Sequence, residues 1–254
     1  MSLTLNLSTN ARDVAQRIAE LGKQGRFAAA TALTLTAKKD VQPGIRRAMQ
    51  STFDRPTSYT LNGTFLKPAT KVDLEARVWL KDRSAAGKGT PADRYLAPQI
   101  FGGQRHQKGM ERLLQAGGLM PAGWVAVPAA GAQLDGNGNV KRSQIVQILS
   151  QLKLQRGAGF ESRASGSGRS NRTIAKQGVT YFALPVARRG LAPGIYLKRK
   201  AGRGKSILPV FVFAAKATYQ PILKFFEVGE QIARSAFPGH FEEQIAKAIS
   251  TARL

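Results

Sequence analysis

At 254 residues and 43% hydrophobic content, the chain is long enough for one large domain or two small ones, with a real core. Its formal charge is +24, from 39 Lys and Arg against 15 Asp and Glu, an excess that points to a negative partner: DNA, RNA, an acidic protein surface or an anionic membrane. The absence of cysteine excludes disulfides, Cys-based zinc sites and thiol nucleophiles, and no apolar run reaches the ~18 residues of a membrane span.

The chain opens on a helical pattern. Val14, Ile18 and Leu21 follow a cap at Ser8, Thr9 or Asn10, and Gly22 with Gly25 breaks this first helix. A second helix is predicted from about Arg26 to Asp40, and a short basic one after Pro43 carries Ile45, Arg46, Arg47, Met49 and Phe53; Pro56 ends the helical part. Lys71 to Lys81 alternates, with Val72, Leu74, Ala76, Val78 and Leu80 on one face, which predicts a half-buried strand. Trp79 lies on its polar face, either as cross-strand packing or as a subunit contact.

Ser84 to Thr90 reads as a loop leading to a short helix over Gln104 to Ala116, bounded by Gly102, Gly103, Gly117 and Gly118. Trp124, Val125 and Val127 predict a strand, Asp135 to Asn139 a turn, and Ile145, Ile148, Leu149 and Leu152 the apolar face of another helix. Gly157 to Gly178 is rich in Gly, Ser and Arg and cannot offset its ordering entropy by burial, which predicts a flexible basic arm. Tyr181 to Leu184, Gly194 to Leu197 and Ile207 to Phe213 predict a sheet, the last as a buried strand, with Lys198 to Lys205 as a hairpin loop. After Pro221 the helical pattern returns with Phe225, Val228 and Ile232, breaks at Pro238-Gly239, and resumes with Phe241, Ile245, Ala248 and Ile249. The expected fold class is α+β, with N- and C-terminal helices packed on a mainly antiparallel sheet. It is read as a single domain over residues 1–254, with an inserted region at about 84–178 that ends in the flexible segment 157–178.

The motifs that invite chemistry fail on spacing. Gly204-Lys205-Ser206 ends like a phosphate-binding loop, but Arg199 stands where the first glycine is needed and a strand follows in place of a helix. Asp135, Asn137 and Asn139 occupy the first, third and fifth positions of a calcium loop, yet Val140 and Val146 replace the required glycine and glutamate, so a glycine-rich turn is expected. His106 and His240 are far apart and without ligand spacing, and read as surface or helix-end histidines. No catalytic residue, cofactor or metal ligand is assigned, and a non-enzyme is expected.

Charge distribution is more informative. Between Gln155 and Lys205 there are 12 Lys and Arg and one acid, Glu161. Arg188, Arg189, Lys198, Arg199, Lys200, Arg203 and Lys205 fall on predicted loops beside strands, where they suit phosphate contacts that position a protein without reading bases. Few aromatics interleave with them, which disfavours a base-stacking platform.

Several phrases, in order, resemble those of phage minor tail protein Z and related tail-completion proteins. They are Arg55-Pro56-Thr57; Gly102-Gly103-Gln104-Arg105 with Lys108 and Glu111; Asp135 to Asn139 leading into Gln147-Ile148-Leu149-Ser150; Arg189 to Tyr196; and Tyr219-Gln220-Pro221 through Phe237-Pro238 to Phe241. The resemblance implies a structural virion protein at the head-tail junction, or neck, which completes the tail so that it joins a filled capsid. It also implies a homo-oligomeric ring of six or twelve copies, contacts with neck, connector or tail-terminator proteins and with genomic double-stranded DNA in the channel, and no catalytic residues. A ring of that kind requires a head-to-tail interface that closes. The expected location is the host cytoplasm during assembly and then the virion, with no membrane partner. The alternative is a basic nucleic-acid-binding protein outside any virion, for which the charge alone would suffice.

Overall fold

The computed structural model describes residues 5–6, 22–83, 89–154, 178–201, 204–215 and 217–251. They divide into two compact units: unit 1, Met1–Gly103 with Tyr219–Leu254, and unit 2, Gln104–Thr218. The class is α+β. Unit 2 includes the strands after residue 178: Gly204–Ala214 pairs with Val125–Pro128, and the other two continue the same sheet.

Unit 1 begins with β1 (Leu5–Asn6) and a helical rod: α1 (Gly22–Leu35), a π-helical turn (Thr36–Val41) and α2 (Gln42–Thr52). Two breaks expected from the sequence are absent. Gly25 is buried inside α1, and Pro43 sits in the first turn of α2, where its missing N–H is tolerated directly after the wide π turn. Ala28, Ala29, Ala30 and Ala32 are buried, and such small side chains allow close helix approach. A short α3 (Ser58–Leu61) follows Pro56, its Thr60 N–H capped by the Thr57 hydroxyl at 3.2 Å.

Strands β2 (Thr64–Lys67) and β3 (Arg77–Leu80) pair antiparallel, with β1 on the other edge of β3. The predicted strand from Lys71 is shorter than expected. Thr70 and Asp73 close a turn through Thr70 N–H to the Asp73 carbonyl at 2.8 Å, and Val72 is 88% exposed on it. From Ala76 the alternation holds, with Val78 and Leu80 buried. Trp79 faces Phe65 across the ladder at 5.7 Å between rings, which is cross-strand packing. The helix α4 (Ala92–Phe101) was missed in the sequence, because Pro91 and Pro98 interrupt its pattern; Pro91 precedes the first turn, and buried Ala92 and Leu96 anchor it.

Unit 2 contains α5 (Gly109–Ala116), β4 (Val125–Pro128), α6 (Arg142–Gln151), β5 (Val179–Leu184), β6 (Gly194–Ala201) and β7 (Gly204–Ala214). Its sheet is fully antiparallel in the order β4-β7-β6-β5. The register slips between Ile195 and Tyr196, which leaves Val210 as an extra residue. That bulge puts neighbours Val210 and Phe211 both in the core, whereas Ile207, expected to be buried, is 45% exposed. Met110 and Leu114 of α5 and Ile148 and Leu149 of α6 cover Tyr181, Ile195 and Phe211 of the sheet. At the sheet edge the Gln151 amide takes the place of a neighbouring strand, accepting from Tyr181 N–H at 2.7 Å and donating to the Val179 carbonyl at 3.3 Å.

The chain ends in unit 1 with α7 (Phe225–Thr251), one continuous helix through the expected break at Pro238-Gly239. Pro238 is exposed, while Phe237 and Phe241 on either side are buried with rings stacked at 5.5 Å. Packing on both sides of the proline outweighs the one lost helical bond. The antiparallel register of α7 against the rod is read from two contacts. Asp40 Oδ2 meets His240 Nε2 at 2.7 Å, and Gly44 packs so tightly that an added Cβ would fall 2.1 Å from Ile232 Cδ1. Val41, Ile45 and Met49, sheet residues Val78 and Leu80, and Phe225, Phe237 and Phe241 form one core. The predicted helix before Gly22 and the flexible arm at 157–178 lie, but for Gly178, outside the described residues.

Candidate polyanion-binding surface

Unit 2 holds 19 Lys and Arg against three Asp and Glu. The two of these acids among the described residues are each engaged locally. Glu111 is fully buried; Arg105 grips it with two guanidinium contacts at 2.8 and 2.5 Å, and the Lys108 and Ala126 amides donate to it at 2.7 and 2.9 Å. Burial opposes ionisation of this carboxyl, but the Arg105 guanidinium and the two amides outweigh it and hold the group below the usual carboxylate range. Asp135 spends Oδ1 on the amides of Asn137 and Asn139, both at 2.9 Å, which makes the predicted turn an Asx turn. Glu161 lies outside the described residues.

The sequence-predicted cations are placed differently from expectation. Arg188 and Leu191 exchange both backbone hydrogen bonds at 3.0 Å, closing a two-residue turn in which Arg189 (φ 52°) and Gly190 (φ 78°) are both left-handed. Both arginines are exposed. The run expected as a hairpin loop is instead strand: Lys198, Arg199 and Lys200 belong to β6 and Lys205 to β7, registered on Ile207, Ser206 and each other. Side chains of Lys200 and Lys205, and Arg203 entirely, lie outside what is described.

Among the described candidates, Arg188 and Arg189 lie apart from Arg199. Arg188 and Arg189 follow the Leu184 end of β5, whereas Arg199 is registered on Val179 at its other end. Five residues of strand separate those levels, or ~17 Å at 3.3 Å per residue. Along β6 neighbouring side chains also alternate faces: Lys198, half-buried, shares the face of Tyr196, and Arg199 points to the opposite one. The charged run conceals the strand because its residues lack the apolar alternation that marks one in sequence.

Sequence reasoning missed further members of the surface. Lys141 and Arg142 stand at the start of α6, whose first turn has no acid, so their charges add to the positive end of the helix dipole. Lys153 follows α6. Lys141, Arg142, Lys153, Arg188, Arg189 and Arg199 are all exposed, and none forms an ion pair among the described residues. The signal was available in sequence: a Lys-Arg pair opening a helical pattern with no acid in the next turn. Gly204-Lys205-Ser206 lies in the β6–β7 hairpin, strand on both sides, without the helix a phosphate-binding loop requires.

His106 is exposed, and His240 is half-buried against Asp40. Among the described residues no group of three or more His, Asp or Glu could hold a metal, and no helix is long and apolar enough to cross a membrane. No protein-family model, no curated protein and no solved structure matches the chain.

Proposed function

We propose that this chain is a non-enzymatic structural protein that assembles with copies of itself against a polyanion, and that it serves in tail completion at the head-tail junction of a tailed bacteriophage. The observation that carries the polyanion part is the charge of unit 2, where exposed Lys141, Arg142, Lys153, Arg188, Arg189 and Arg199 form no ion pair among the described residues. Such a surface suits phosphates, which lack the geometric demands of base edges. The separation of Arg188 and Arg189 from Arg199 along the sheet favours an extended polyanion over a single small anion. The phage setting, the ring of six or twelve copies and the neck partners rest on the resemblance of the ordered phrases to those of the tail protein Z family. Duplex DNA in the channel is the polyanion that setting supplies.

Two measurements test this reading. Native mass spectrometry is expected to find a closed multimer, and binding to duplex DNA is expected to weaken steeply with salt, because each neutralised phosphate releases counterions. Arg188→Glu and Lys198→Glu, tested singly and together, are expected to impair tail joining. A monomer that binds DNA with a steep salt slope would replace this reading by that of a nucleic-acid-binding protein outside the virion. Normal joining in the double variant would remove the phosphate contact.

A further inference from the structure

We infer that unit 1 carries a second polyanion surface, the exposed face of the rod at Lys38, Lys39, Arg46 and Arg47, which binds the phosphates of duplex DNA. It shares its partner with the proposed function but stands on residues which that reading does not use.

The face is built by the π-helical turn. The Gln42 N–H reaches back to the Ala37 carbonyl, so this turn holds one residue more than an α-helical turn. Eight residues then complete two turns, whereas in an unbroken α-helix they overshoot by about 80°. Burial along the rod repeats accordingly. Thr36 and Gly44 are buried, as are Ala37 and Ile45, and Val41 and Met49, while Lys38 and Arg46 are exposed, as are Lys39 and Arg47. Lys38 therefore stands in line with Arg46 and Lys39 with Arg47, two parallel rows on one side of the rod. The lysine pair and the arginine pair lie ~12 Å apart along the axis at 1.5 Å per residue.

The acids beside this face are engaged. Asp40 meets His240 Nε2 at 2.7 Å, and Glu243, whose carboxyl also feels the charge of Lys39, is paired with Lys247. Glu242 is turned about 160° from His240 around α7. Helix α2 contains no acid, and Asp54 beyond it is paired with Arg55. None of the four cations forms an ion pair among the described residues; Arg46 Nη1 donates to the neutral Asn62 Oδ1 at 3.1 Å.

Duplex DNA fits this face better than an acidic protein surface does. A protein interface is centred on apolar and aromatic side chains, but among the described residues no large apolar side chain is exposed between Thr36 and Thr52. Gln42, Pro43 and Gln50 stand between and beside the cations instead. Phosphate contacts need only charge and hydrogen-bond donors. The same stretch has no aromatic residue on which unpaired bases could stack. Its spacing of ~12 Å is about the width of the major groove of B-DNA, so a rod lying across the groove presents one pair to each backbone.

The test titrates the full chain with a short DNA duplex at several salt concentrations. Lys38→Ala with Lys39→Ala removes one pair, Arg46→Ala with Arg47→Ala the other, and all four together the whole face. Alanine suits a helix, and thermal melts check the fold; the two pair variants decide the matter should the fourfold one lose it. Each pair is expected to lower the slope of log affinity against log salt by about 2, and the fourfold variant by about 4, with at least a roughly tenfold loss of affinity. Lys23→Ala with Lys71→Ala removes the same charge around the start of α1, ~20 Å along the rod, and is expected to leave the slope unchanged. An unchanged slope in the rod variants, or an equal loss in the Lys23 and Lys71 variant, would overturn the inference. Unchanged DNA binding together with a lost multimer would assign the face to an acidic protein surface instead. Arg188→Glu with Lys198→Glu, titrated in parallel, separates the two surfaces: weaker binding there alone overturns this inference and leaves the proposed function standing. A wild type that binds no duplex overturns both.

Discussion

Unit 1 sets 20 Lys and Arg against 12 Asp and Glu, and many of its carboxylates meet a cation: Asp54 with Arg55, Asp73 with Lys67, Glu75 with Arg77, Glu230 with Arg234 and Glu243 with Lys247. Unit 2 sets 19 against three, and the ion pair described there, Arg105 with Glu111, is buried. The pairs of unit 1 are exposed for the most part and contribute little to stability, but they offset its field. The pair of unit 2 is equally neutral, but being buried it also fixes α5 against β4 through the Ala126 amide. The net charge is thus +8 in one unit (20 − 12) and +16 in the other (19 − 3), so two thirds of the excess lies in unit 2.

That contrast can be broken in four ways. The largest effect is expected for Glu111→Ala, which strands the Arg105 guanidinium and two amides; the cost is about 3–5 kcal/mol, read as lost hydrogen-exchange protection in α5 and β4 with α1 and α7 unchanged. The mirror experiment is Met49→Ala in the unit 1 core, expected to cost about 2–3 kcal/mol and to loosen the rod and α7 while β6 and β7 keep their protection. Third, acid should act on unit 2 through Glu111. Its carboxyl is held below the ordinary value of 4.5, so it binds its proton more readily when unfolded. The stabilisation is fully present above that value and is lost as pH falls through the lower native one, and Glu111→Ala should flatten this part of a pH–stability curve. The smallest effect is expected for Arg199→Ala, which should lower the slope of log affinity for duplex DNA against log salt by about 1, whereas Arg55→Ala in unit 1 should leave it unchanged.

Much of the local structure is legible in the sequence. The apolar spacing of Ile145, Ile148 and Leu149 marked α6, and the Asx-Gly repeat at Asp135 to Asn139 marked a turn, because these patterns depend on neighbours a few residues away. Prolines mislead in one direction, toward too little helix: Pro98 conceals α4, and Pro238 predicts a break in a helix that instead runs on for 13 more residues, to Thr251. In each case the competing term is burial of residues on either side, which a local propensity cannot weigh.

The candidate site was legible in composition and not in arrangement. Sequence alone determined that the positive charge is concentrated and that acids are nearly absent from residues 104–218, because charge is additive along a chain. Only the tertiary structure decided that Lys198 to Lys200 are strand, that Arg188 and Arg189 stand at the far end of the same sheet from Arg199, and that α7 runs antiparallel to the rod with His240 against Asp40. Strand pairing and antiparallel helix packing convert distance along the chain into distance in space by rules that depend on partners up to 200 residues away.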